Sequence, residues 1–106
     1  MAKDYATNYV VECYWPSVSQ DKVGIAAKAV QAASDELRLQ GRHVRFVGSI
    51  IIPVEETVFF LLDGQEADVR AVSVRAAVPF ERVLESLRID GVPPDQDKPL
   101  RAVADQ

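Results

Sequence analysis

The patterned part of the chain begins at Asn8–Trp15 (NYVVECYW), a run of aromatic and β-branched residues that stops at Pro16 and predicts a first strand. Ser17 and Ser19 follow as possible N-cap hydroxyls. From Gln20 to Gln40 the apolar positions Val23, Ala26, Ala27, Val30, Ala33 and Leu37 recur every three or four residues, the spacing of a helix with one buried stripe. Gly41 stands where a left-handed C-terminal cap is wanted. Arg42–Ile52 and Thr57–Leu62 read as two strands joined through Pro53-Val54-Glu55-Glu56, with Asp63-Gly64-Gln65 closing the second. Glu66–Val78 places Val69, Val72 and Ala76 at helical spacing, and its first turn holds Glu66 and Asp68, where carboxylates favour the helix dipole. After Pro79 the pattern is ambiguous. Phe80, Val83, Leu84 and Leu87 fit the i, i+3, i+4, i+7 template of a helix, and a strand over Arg82–Ile89 competes with it.

Completed by a strand, the order is the ferredoxin-like βαββαβ arrangement. Three stretches carry a more particular likeness: Tyr9–Pro16 entering an alanine-rich helix, the hairpin ending at Leu61–Gly64, and Ala76–Val83 (AAVPFERV). The last is similar to an A-G-L-P-x-D-x-V turn into a final strand. Together they resemble a family of small domains of unknown function that includes an actinobacterial nickel-responsive protein. The resemblance spans residues 8–89 and implies an α+β fold with an antiparallel four-stranded sheet and two helices on one face, pairing as a dimeric α+β barrel. It resolves Arg82–Ile89 as a fourth strand against the local period. Nickel binding in that family rests on histidines in the first strand and near the start of the second. Here the first strand offers Glu12, Cys13 and Tyr14, and His43 stands two positions before Arg45, the position matching a family histidine. Nickel is thus the cofactor the resemblance implies, while its expected ligands are missing. A borderline metal wants several imidazole, thiolate or carboxylate donors, so no metal-ligating residue is assigned.

The strands make a separate point. Ser49–Ile52 and Val58–Leu62 are apolar on both faces, whereas a sheet with helices on one side and water on the other should alternate. Two helices cover one face, so a homodimer through the open sheet face is expected. The competing cover is the C-terminal tail, with Val92, Leu100 and Val103, folded back over that face. Residues 1–7 read as an N-terminal lead, 8–89 as the domain, and 90–106 as a polar tail holding three of the six prolines. Four aspartates against Lys98 and Arg101 give the tail half of the net charge of −4.

Composition narrows the field. With 106 residues and 48% hydrophobic, the chain is one domain with a real core. No run approaches the length of a membrane span, and Asp4 and Glu12 interrupt anything like a secretory signal, so a cytoplasmic location is expected. Sixteen acids against twelve bases argue against a nucleic-acid partner. A single cysteine makes no internal disulfide.

Glu12 is the most informative polar residue, a carboxylate mid-strand among Val10, Val11, Cys13 and Tyr14. It is an acid or base lining a cleft, an edge position pointing to solvent, or one half of an ion pair to Arg45 or Arg88. His43, near a helix-to-strand loop, is the second weak candidate for acid–base chemistry. Alternation turns Cys13 to the face opposite Glu12 and Tyr14, which favours a buried structural thiol over a nucleophile. Tyr14, Trp15 and Phe46, with Tyr9, are either walls of a pocket for a small apolar ligand, with Arg45 as its polar group, or simply core. The acids Glu55, Glu56, Asp63, Glu66 and Asp68 match no calcium-loop spacing and read as a solvated surface. The expectation is a non-enzymatic dimeric domain that binds a small ligand or a nickel-type metal in an accessory or sensing role. The alternative is a small α+β-barrel enzyme of the cyclase, isomerase or cofactor-free oxygenase kind, acting on an apolar molecule. A weaker third is an interaction module whose tail engages a larger partner.

Overall fold

The computed structural model describes residues 7–89 and 91–94. The elements follow the order β1 (Thr7–Tyr14), α1 (Gln20–Leu39), β2 (Val44–Ile52), a 3-10 turn (Pro53–Glu55), β3 (Thr57–Gly64), α2 (Glu66–Arg75) and β4 (Phe80–Ser86). Most of the predicted tail lies outside the described residues.

Helix α1 begins where Ser19 accepts a hydrogen bond from the Lys22 amide at 3.2 Å. It stops in a Schellman motif: Gly41 takes φ +83°, its amide donates to Arg38, and the Arg42 amide donates to Leu37. Its buried stripe is Val23, Ala26, Val30, Ala33, Ser34 and Leu37. Ser34, the one polar member, donates to the Val30 carbonyl one turn back. Helix α2 is shorter than the pattern predicts. Ala77 turns left-handed at φ +58°, and the amides of Ala77 and Val78 close on Val74 and Ser73 in the same motif. The chain therefore leaves the helix before Val78, at a position where alanine is strained and glycine is not.

The four strands form one antiparallel sheet in the order β2-β3-β1-β4. Its inner face meets both helices and holds the core: Val11, Cys13, Val44, Val58, Phe60 and Leu62 from the sheet, against the α1 stripe and Val69 and Val72 of α2. Phe46 leans on Phe60 with ring centroids 6.2 Å apart.

Residue 80 onward is a strand, and its period has a physical cause. Cys13 pairs with Phe80 but Glu12 with Arg82, so Glu81 is an extra residue in β4, a bulge. The bulge stretches the inward spacing from two residues to three, which places Phe80 and Val83 at helical distance although the backbone is extended. Leu84, paired with Val10, points to the opposite face from Val83. A second bulge leaves Val47 unpaired between Phe46 and Gly48 in β2. Strand β3 runs two residues past its predicted end, to Gly64. There φ is +147°, and a Cβ would collide with the carbonyl oxygen of His43.

Candidate functional site: the open face of the sheet

The second face carries the opposite set of strand residues, and no described element covers it. Taken across the sheet from β4 to β2, its middle holds Leu84, Val10 and Leu61, then Phe59 and Ile50. These side chains alternate with core residues on the same strands, so Phe59 and Leu61 lie on this face while Phe60 and Leu62 are fully buried on the other.

One end of the face is polar, and Asp63 organises it. Its Oδ1 accepts from Asn8 Nδ2 at 2.8 Å and from Arg88 Nη1 at 2.6 Å, and its Oδ2 accepts from Arg45 Nη2 at 3.0 Å. Arg88 also donates through Nη2 to the carbonyls of Tyr9, at 3.4 Å, and Leu62, at 3.3 Å. The Arg88 side chain thus lies across β1 to reach β3. Burial raises the Asp63 pKa, but the hydrogen bonds from Arg45, Arg88 and Asn8 and the Arg88 charge outweigh it and hold the carboxyl below the ordinary range. Beside them Ser86 Oγ and Arg88 Nε are buried with no partner within the described residues.

Glu12 sits further along the same face. Its Oε1 accepts from Arg82 Nε at 2.7 Å and Nη2 at 2.6 Å. The expected partners Arg45 and Arg88 are both taken by Asp63; Arg82 is directly across on β4 because the Glu81 bulge shifts the register there. At the far end Tyr14 donates its hydroxyl to Glu56 Oε1 at 3.3 Å, the Ser17 amide donates to Oε2 at 3.0 Å, and the Trp15 amide donates to the Glu56 carbonyl at 2.7 Å. Glu56, left-handed at φ +51°, so ties the β1–α1 loop to the β2–β3 turn. Its charge, and then its hydrogen bond, raise the Tyr14 pKa.

The other expected site residues are dispersed. Tyr14 and Arg45 are on the open face at opposite ends, whereas Tyr9, Trp15 and Phe46 pack against the core on the inner face. The four residues expected to line one pocket therefore do not share a space: Trp15 and Phe46 fall on the core side of the pleat. Cys13 is fully buried, and burial, then the charges of Glu12 and Glu81, push its thiol up to about 12. A thiol so protonated is a poor nucleophile and a poor ligand. His43 is exposed in the turn before β2. What anchors that turn is its backbone: the His43 amide donates to Asp68 Oδ2 at 3.2 Å, and Asp68 Oδ1 accepts from Arg42 Nε at 2.6 Å.

Nickel finds no fitting set here. Glu12 is paired to Arg82 on one face, Cys13 is buried on the other, and His43 lies beyond the sheet. Among the described residues no three His, Cys, Asp or Glu side chains stand close enough to share an ion. Of the acids read as one solvated block, Glu55 and Glu66 are exposed, Glu66 beside Arg70, whereas Asp63 is held by Arg45 and Arg88, Asp68 is buried against Arg42, and Glu56 accepts from Tyr14. Asp63, Arg88, Asn8 and Arg82 were not singled out from the sequence as a constellation. The available signal was strand alternation, which puts Asn8 and Asp63 on the same side as Glu12.

The crystal structure of SCO4226 from Streptomyces coelicolor A3(2) superposes on this chain with a TM-score of 0.66 and 19% sequence identity, over 78% of this chain and 99% of that one. The element order, the β2-β3-β1-β4 sheet and this match agree. The chain is a ferredoxin-like α+β domain. At 19% identity the likeness carries the ferredoxin-like fold and nothing finer. No protein-family profile matches the chain, and neither does any curated protein. No helix of the domain, among the described residues, is long and apolar enough to cross a membrane.

Proposed function

We propose that this ferredoxin-like domain is a non-enzymatic accessory protein that works as a homodimer, two copies meeting through their open sheet faces, with a small apolar ligand held where the faces meet. The observation that carries the reading is the apolar centre of that face, Leu84, Val10, Leu61, Phe59 and Ile50, left outside the helix layer. A contiguous apolar surface of this kind is normally covered by a partner. The polar groups of the face favour binding over catalysis. Glu12 is engaged by Arg82, and the hydrogen bonds from Arg45 and Arg88 hold the Asp63 carboxyl below the ordinary range, so Asp63 is not poised as an acid near neutral pH.

Sedimentation equilibrium at micromolar concentration tests the pairing. The expected result is a particle of twice the 11.7 kDa chain mass. A particle of the chain mass itself overturns the reading. Native mass spectrometry of the purified dimer then detects any small molecule retained between the copies.

A further inference from the structure

On the open face the side chains fall in rows across the sheet. At one end Arg45 and Asp63 are register partners and Arg88 reaches into the same row, so two guanidinium groups share one carboxylate and one positive charge is left over. The two arginines are not equally committed. Arg88 donates through Nη1 to Asp63 and through Nη2 to the carbonyls of Tyr9 and Leu62. Arg45 donates through Nη2 to Asp63, and its side chain is 69% exposed, so the rest of its donor fork is turned to solvent. The next row pairs Leu61 with Gly48. Gly48 brings no side chain to the face, and a Cβ placed there would meet nothing within 4 Å. The face therefore has a notch beside Arg45, bounded by Leu61 and, one row further on, by the register partners Phe59 and Ile50.

We propose that this notch takes the alkyl chain of an amphipathic carboxylic acid whose carboxylate sits on Arg45. The inference rests on the ligand-binding reading above and names the chemical class of the ligand. Asp63, Leu61 and Phe59 stand on successive rows of β3, so the apolar stretch runs about 14 Å from the polar row, which suits a medium-length alkyl chain. Charge decides what the chain carries. Any cover that takes this face out of water also desolvates the surplus positive charge, which is costly unless the cover brings a counter-charge. A carboxylate supplies it, and a guanidinium fork meets a carboxylate through paired, charge-assisted hydrogen bonds. A neutral apolar ligand leaves the charge unanswered. The other end of the face offers an amine no equivalent place. Both Glu56 carboxylate oxygens already accept hydrogen bonds, from Tyr14 and from the Ser17 amide, and Glu12 is engaged by Arg82.

Calorimetric titration of the full chain with octanoate, octanol and octylamine, at two temperatures, tests the site. Octanoate is expected to bind about tenfold or more tighter than octanol, the scale of hydrogen bonds to a charged group, and octylamine more weakly than either. Arg45→Gln is expected to bring octanoate down to the affinity of octanol. Arg45 also touches Asp63, so urea unfolding checks that this variant is folded. Gly48→Leu decides the matter if it is not: Gly48 has no positive φ and open space around it, so the variant is expected to fold. By filling the notch it is expected to weaken octanoate and octanol alike by about tenfold or more. Equal affinities for octanoate and octanol, tighter binding of octylamine, or unchanged octanoate binding in Gly48→Leu each overturn the site. Sedimentation of the same samples keeps the two proposals apart. If wild type is a dimer and binds none of the three probes, the site falls while the homodimer stands; if it binds octanoate as a monomer, the homodimer falls while the site stands.

Discussion

Arg88 and Asp63 belong to segments that are not neighbours in the sheet, yet Nη1 of the arginine stands 2.6 Å from Oδ1 of the aspartate, with β1 between them. The side chains are 25% and 15% exposed, so the pair is largely out of water, and Arg88 Nε is buried with no partner among the described residues. Removing one partner of such a pair leaves the other desolvated and unpaired, which is costlier than the pair is stabilising.

Asp63→Asn is expected to destabilise the fold by about 2 kcal/mol at neutral pH, the scale of hydrogen bonds to a charged group. The folded-state pKa of Asp63 lies below its unfolded value, near 4. Its contribution is therefore complete above that value and is lost as pH falls below it. Urea titrations from neutral pH downward check the sign: the gap between wild type and Asp63→Asn should close below about pH 4.

Gly64→Ala and Gly41→Ala separate crowding from backbone strain. Both glycines have positive φ, but only Gly64 has an atom in the way, the His43 carbonyl oxygen; a Cβ on Gly41 meets nothing within 4 Å. Gly41→Ala should cost about 1 kcal/mol, and Gly64→Ala more than about 2 kcal/mol, because β2 and β3 must part to admit the methyl group. Equal losses in chemical denaturation would show that the close approach at Gly64 does not matter.

Ala77→Gly is expected to stabilise the domain by about 0.5 kcal/mol. The native φ of +58° is left-handed, where alanine carries a steric penalty that glycine lacks, partly offset by the greater freedom of glycine in the unfolded chain. A raised urea midpoint at unchanged slope is the signature.

Cys13 should resist iodoacetamide at pH 8 in the native protein and react fully in concentrated guanidinium chloride, as read by mass spectrometry. The prediction follows from a side chain with no exposure and a thiol pushed to about 12. Labelling of the native protein at the rate of an exposed thiol would contradict the buried placement.

Phe59 and Phe60 are adjacent but should behave oppositely. Phe60→Ala is expected to cost about 3–5 kcal/mol of folding stability from core packing. Phe59→Asp should leave the monomer folded and abolish pairing, measured by circular dichroism and sedimentation on the same sample.

The helices and the central strands were legible because their patterns are local: an alanine and valine stripe ending at a glycine, or a pleat in which Phe59 and Phe60 face opposite ways. The fourth strand was not legible from its own residues. One extra residue, Glu81, moves Phe80 and Val83 to helical spacing, and a bulge is visible only once the partner strand is in place. The same shift hid the pairing of Glu12 with Arg82. The Asp63 cluster was hidden for a related reason, since Asn8, Arg45, Asp63 and Arg88 come from four segments and meet only through sheet register. Trp15 and Phe46, read as pocket walls, carry no sequence mark that tells core from cleft.

Both bulges, at Val47 in β2 and Glu81 in β4, fall on the outermost strands of the sheet. A bulge breaks the even row of amides and carbonyls that a passing strand would need in order to add on. Lateral growth into ribbons or fibres is thereby discouraged on both margins. The pairing proposed here, through the flat of the sheet, would be isologous: one copy would use up the surface of the other, and assembly would close at two.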